Sequence, residues 1–226
     1  MRNTRILILV EVALAVALAA VLNAIQARLP LNVAGGSVNL CMLPIAVVAL
    51  RRGALAGATA GALFGLIDFL LEPFFLFPLQ VILDYPAPYL LFGLGVGLFS
   101  RIYNKAAEKD ERRVTGLFIA QSTGVIIGAL LVGGTMRLVS HVLSGVLFFA
   151  EYAADFFADY PVLLQAGAAD TGLNVWIYST VYNLLYIIPS VAGALICVLV
   201  VMPVLAKAVP AQRIKAQVPD EARVSL

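Results

Sequence analysis

Long apolar runs decide what kind of fold is open to this chain. Six fit, at residues 5–27, 37–50, 53–71, 77–101, 114–150 and 175–207, where a helix needs ~20 apolar residues to cross a bilayer core. None shows the alternating pattern of a membrane barrel strand, and Ala, Leu, Val and Gly dominate, so the runs read as helices. A water-facing surface could not be covered: 62% of the 226 residues are hydrophobic and 12% charged, against about 25% charged in a soluble domain. The expected fold is an all-α integral membrane protein, a single six-helix bundle over residues 1–210 with a polar, disordered tail at 211–226. The second run is short and is expected to tilt or break near Pro44. The fifth is long enough to tilt strongly or to break at Gly133 and Gly134. The first contains Glu11 and no small-residue cleavage site follows it, so it reads as a retained helix and not a signal peptide.

Basic residues give the orientation, because cytoplasmic loops carry the excess of Lys and Arg. Arg2 and Arg5 precede the first span, and Arg51 and Arg52 sit between the second and third. Arg101, Lys105, Lys109, Arg112 and Arg113 fill the loop between the fourth and fifth, and Lys207, Arg213, Lys215 and Arg223 follow the sixth. With six spans all of these fall on one side. The other side keeps Arg28 alone and an acidic loop with Glu151, Asp155, Asp159 and Asp170. Both termini are therefore expected in the cytoplasm of a multi-pass cell-membrane protein.

Arg137 and His141, the only histidine, lie one helical turn apart inside the fifth run. An arginine at mid-membrane costs roughly 2.5–3.5 kcal/mol on insertion scales, so such residues face a cavity, a partner charge or a ligand. Ser144 and Phe148 or Phe149 continue the same helical face. Asp84 and Tyr85 stand at the outer third of the fourth run, where a carboxylate beside a tyrosine suits a cationic or amino-bearing ligand. The alternative is an Asp84–Arg137 ion pair that only ties helices together. Pro86 and Pro88 lack N–H donors and favour irregular backbone lining a cavity. The sixth run opens with Trp176, Tyr178, Tyr182, Asn183 and Tyr186. An interfacial belt accounts for Trp176, but Asn183 lies deeper, and its amide needs partners that a heteroaromatic ligand could supply. Phe74, Phe75 and Phe77 flank the turn between runs three and four, where one ring turned inward would make a stacking surface. Asp68, Glu72 and Glu11 read as carboxylates at helix ends, solvated or locally paired. Cys41 and Cys197 read as small packing residues. In the first run Ala13 and Ala17 repeat at a four-residue step that lets a second helix approach closely.

No enzyme signature is present: no HExxH, no metal-ligand cluster, no GxSxG with a base, and no Walker motif for hydrolysing ATP. Neither cofactor nor metal is expected, and the polar residues favour reversible ligand capture over catalysis.

Four segments carry a family resemblance: "LPIAVVALRRGALAGATAGALFGLI", "LQVILDYPAPYLLFGLGVGLF", "MRLVSHVLSGVLFFAEYA" and "IYSTVYN". Over residues 5–205, apart from an apparent insertion within 151–175, the chain resembles the thiamine-specific substrate-binding (S) component of energy-coupling factor transporters. The resemblance implies that Asp84 stands where the family has a glutamate facing thiamine, and that Tyr85, His141, Tyr178 and Asn183 match pocket residues. It further implies that Arg137 replaces a lysine, Phe149 a stacking tryptophan and Phe74 a tyrosine. Gly35 falls near a family tryptophan in the first outer loop, and Ala13 and Ala17 match an AxxxA surface that docks on the coupling subunit. The implied activity is capture of thiamine, or a closely related heteroaromatic vitamin or precursor. The implied partners are a transmembrane coupling protein and two cytoplasmic ATPases. Two rival expectations are a stand-alone proton-coupled carrier using Asp84 and His141, and an intramembrane enzyme using those two with Arg137.

Overall fold

The structure, a computed structural model, describes residues 4–26, 32–33, 36–112, 120–159 and 172–208. Helix α1, Thr4–Gln26, turns Val12, Ala15, Val16 and Ala19 into the core and leaves Ala13 and Ala17 exposed. These inward positions follow the i, i+3, i+4, i+7 stripe of a helix buried on one face. Two short strands follow, β1 at Asn32–Val33 and β2 at Gly36–Ser37, paired antiparallel.

Helix α2, Met42–Arg52, is short and buried almost throughout. Pro44 sits in its first turn, where a missing N–H costs no intrahelical bond, so it starts the helix and does not break it. The turn into α3 (Ala54–Leu71) is made at Gly53, whose φ of 97° only glycine adopts freely. Helix α4 covers Pro78–Asp84 and α5 Pro86–Gly97, interrupted at Tyr85 as the two prolines of this run suggest. Along α3, Gly57, Gly61 and Gly65 lie against the α5 backbone, and a Cβ on Gly61 would stand 2.8 Å from the Leu90 nitrogen. Small residues four apart let these two backbones touch.

One expectation needs correction and two are refined. Among the described residues, five helices are long and apolar enough to cross a membrane: Arg5–Gln26, Ala54–Leu71, Pro78–Gly97, Ser122–Phe148 and Asn174–Leu205. The second run is filled by α2, whose 11 residues fall short of the ~20 of a full span, in keeping with the shortness of that run in the sequence. The basic stretch after the fourth run is a helix, α6 (Ser100–Arg112), where a loop was expected. Lys, Ala, Glu and Arg are good helix formers, and Tyr103, Ala106 and Ala107 give α6 a buried side. Helix α7, Ala120–Phe148, runs without a break at the paired glycines. Gly133 fits against Phe92 and Val96 of α5, and Gly134 against Val191, so the pair serves close helix crossing.

A 3-10 turn at Ala150–Tyr152 leads to α8, Ala153–Asp159, and α9 closes the described chain over Gly172–Ala208. Glu11 pairs across the bundle and not with its own helix. Its carboxylate accepts hydrogen bonds from Arg52 Nε and Nη2 at 2.6 and 2.5 Å, with Arg51 3.7 Å away. Cys41 is buried and Cys197 half-buried, both free thiols. Gly35, Arg28 and the tail at 211–226 lie outside the described residues.

Candidate functional site

A cavity of about 640 Å³ opens among α3, α4, α5, α7, α8 and α9. Its floor is buried: Asn39, Tyr89, Arg137 and Asn183 are each under 5% exposed. The exposed Glu72, Phe74 and Tyr152 mark its mouth, at the end of α3 away from Arg52.

Asp84, at the end of α4, accepts a 2.7 Å hydrogen bond from Gln80 Nε2 through Oδ2 and turns Oδ1 to His141 Nδ1 at 3.7 Å. The ion pair with Arg137 that charges alone suggested is not made. Arg137 instead lies over the Tyr89 ring, 4.6 Å from its centroid. It donates to Met42 Sδ at 3.0 Å and, at 3.4 Å each, to Tyr89 Oη and His141 Nε2. A guanidinium spread over a ring face and soft or neutral acceptors keeps its charge without a contact ion pair.

Tyr85 lines the cavity, but its hydroxyl is spent on the α3–α4 turn. It accepts from the Phe74 N–H at 3.0 Å and is placed to donate to the carbonyl of Glu72 at 3.0 Å or of Phe74 at 3.2 Å. That bonding fixes the turn that presents Phe74. The Phe74 ring stacks on Phe149, centroids 6.4 Å apart and planes 19° from parallel. Helix α7 ends at Phe148, so Phe149 leaves the helical path and joins the cavity, whereas Phe148 packs on Phe77 at 5.4 Å. Ser144 is fully buried and outside the cavity lining; Gly145 takes the place expected for it.

From α9, Tyr178, Ser179, Tyr182, Asn183 and Tyr186 face the cavity. Asn183 finds partners within the protein: it donates to the Ser179 carbonyl at 2.7 Å and accepts from the Tyr186 hydroxyl. The amide also donates to Ser179 Oγ at 3.4 Å, which leaves one lone pair of its oxygen over. The structure thus gathers Asp84, Tyr85, Arg137, His141, Phe149, Tyr178, Asn183 and Phe74 around one cavity. Ala13 and Ala17 lie elsewhere, on the exposed side of α1.

Sequence reasoning left out Asn23, Asn39, Asp68, Tyr89, Tyr152 and Phe156, all of which line the same space. Asp68 is not a solvated helix end: its carboxylate accepts from Asn23 Nδ2 at 2.6 Å, and Asn23 in turn accepts from Asn39. An acid inside an apolar run was the available signal. Among the described residues, no three His, Cys, Asp or Glu side chains are placed to hold a metal ion.

A box of aromatic rings holding an acid, an imidazole and an amide is a ligand-binding arrangement, and residues 9–212 match the family model for thiamine transporter protein. The chain belongs to that family. It is a membrane transporter and not an enzyme. Among its relatives, thiamine transporter ThiT of Bacillus subtilis (strain 168) is 30% identical over 194 residues, 84% of this chain and 88% of that one. Thiamine transporter ThiT of Lacticaseibacillus paracasei is 28% identical over 186 residues, 80% of each chain. A solved structure of ThiT from Listeria monocytogenes superposes with a TM-score of 0.65 at 25% identity, covering 92% of this chain and 97% of that one. The all-helical S-component bundle expected from the sequence is the fold that this likeness shows.

Proposed function

We propose that this thiamine transporter captures thiamine in the cavity described above and works as the S component of an energy-coupling factor transporter. The observation that carries the reading is the composition of the cavity wall. Asp84 and His141 offer a charge-assisted pair to an amino-bearing ring, Arg137 offers donors and Asn183 an acceptor, and Phe74, Phe149 and Tyr178 offer ring faces. A flat cation is well served by stacked faces and a carboxylate in low dielectric.

Energy would come from outside the chain, through a transmembrane coupling protein and two cytoplasmic ATPases, with exposed Ala13 and Ala17 as the docking surface. Arg51, Arg52, Arg101 and Lys105 lie at the bundle end away from the cavity mouth. The positive-inside rule then puts the mouth outside and both termini in the cytoplasm.

A thermal-shift and calorimetric panel on purified protein tests the reading, using thiamine, its phosphates, pyrimidine precursors, riboflavin and biotin. Thiamine should stabilise the protein most and bind at one site. No response to thiamine would refute the capture role, and uptake that survives loss of every coupling ATPase would favour a stand-alone carrier.

A further inference from the structure

After α7 the chain enters a 3-10 turn and the short helix α8, residues 150–159, and two rings of this segment reach the cavity. Tyr152 closes the 3-10 turn and Phe156 lies midway along α8; both line the cavity wall. We infer that this segment is part of the ligand site, with Tyr152 and Phe156 completing the aromatic enclosure around a planar ligand. The inference rests on the thiamine-capture reading and adds two binding residues to it.

The geometry joins two groups of rings. On one side Tyr152 lies beside the Phe74–Phe149 stack, its centroid 6.1 Å from that of Phe149 and its plane tilted by 44°. On the other, Phe156 meets Tyr178 at 5.3 Å and Tyr182 at 6.5 Å, both edge to face. Edge-to-face pairs of this kind set ring orientation as well as burial, so Phe156 fixes how the α9 tyrosines present themselves.

Helix α8 is built for this placement. Ala153, Phe156 and Phe157 are buried at i, i+3 and i+4, while Glu151, Ala154 and Asp155 are exposed. Its two phenylalanines divide the work. Phe157 is buried without lining the cavity and serves packing, whereas Phe156 lines the cavity beside it. Tyr152 is 43% exposed at the mouth, so packing alone does not explain a large ring held there next to Phe149.

The test measures thiamine affinity and dissociation rate for the full-length protein and for Tyr152→Ala, Phe156→Leu and Asp155→Asn. Losing one ring face should weaken thiamine binding roughly three- to thirtyfold in each of the first two, mostly through faster dissociation. Asp155→Asn, on the outward side, should match the parent. Because Tyr152 is exposed, the ligand-free melting temperature of Tyr152→Ala should also match the parent, which separates a lost contact from a damaged fold. Parental affinity and rate in both ring variants would overturn the inference and leave the capture reading standing. Loss of affinity that appears only with a lowered ligand-free melting temperature would assign the segment to packing and overturn it equally. A parent protein that does not bind thiamine would overturn both readings.

Discussion

Asp84 Oδ1 and His141 Nδ1 stand 3.7 Å apart, joining the end of α4 to the last third of α7 inside the cavity. The imidazole also receives a long contact from Arg137 through Nε2, so acid, imidazole and guanidinium form one line along the wall. A ligand that engages the acid therefore meets a carboxylate already oriented by Gln80 and His141.

Asp84→Asn keeps the shape of this wall and removes its charge. Thiamine affinity should fall by about 10- to 100-fold, the value of a hydrogen bond to a charged group at ~1.5–3 kcal/mol. Calorimetry on the variant checks this, and unchanged affinity would remove Asp84 from the site.

Phe149 provides the ring face that the resemblance expects to be a tryptophan. Phe149→Trp should tighten thiamine binding, and Phe149→Ala should weaken it by more than lost area accounts for, since stacking adds about 0.5–1.5 kcal/mol. Phe149→Leu should fall between. Alanine and leucine variants that bind like the parent would place the stacking face elsewhere.

Tyr85→Phe retains a ring in the cavity and deletes the bonds to the α3–α4 turn. Thiamine should leave this variant severalfold faster, as Phe74 loses its anchor, and amide exchange at residues 74–77 should quicken. Parental exchange there would show that the turn holds itself.

Replacing both Ala13 and Ala17 with Trp should abolish uptake in cells while purified protein keeps its thiamine affinity, because neither residue touches the cavity. Loss of binding in the same variant would mean that this face packs internally.

Gly61→Val tests the α3–α5 crossing. The added Cβ meets backbone of Tyr89 and Leu90, which cannot swing aside as a side chain could. Overpacking of this kind costs about 1–3 kcal/mol, so the melting temperature in detergent should drop by several degrees with or without thiamine.

The apolar runs and the stranded charges were legible in the sequence because the bilayer penalises both errors of length and errors of polarity. Arg137 and His141 announced a cavity by their cost alone. Residues whose role depends on a distant partner were not legible. Asp68 reads as a helix end until Asn23, 45 residues away in the chain, is seen to hold it. Tyr89 looks like any interfacial tyrosine until Arg137 lies across its face. The α6 helix was hidden for another reason: a run of Lys, Arg and Glu serves equally as a solvated loop or as one side of an amphipathic helix, and only the buried Tyr103, Ala106 and Ala107 decide it.

Helix α1 has a consequence for how such a protein can diversify. Its inward alanines hold it to the bundle, and Asn23 is its only residue at the cavity among those described. Its outward alanines share no contact with that space. Mutations that retune the cavity and mutations that retune the outer side of α1 therefore draw on separate sets of residues. Under the docking role proposed for the outer side of α1, cargo and docking can drift independently, so a lineage can change what it carries and still fit the machine that drives it.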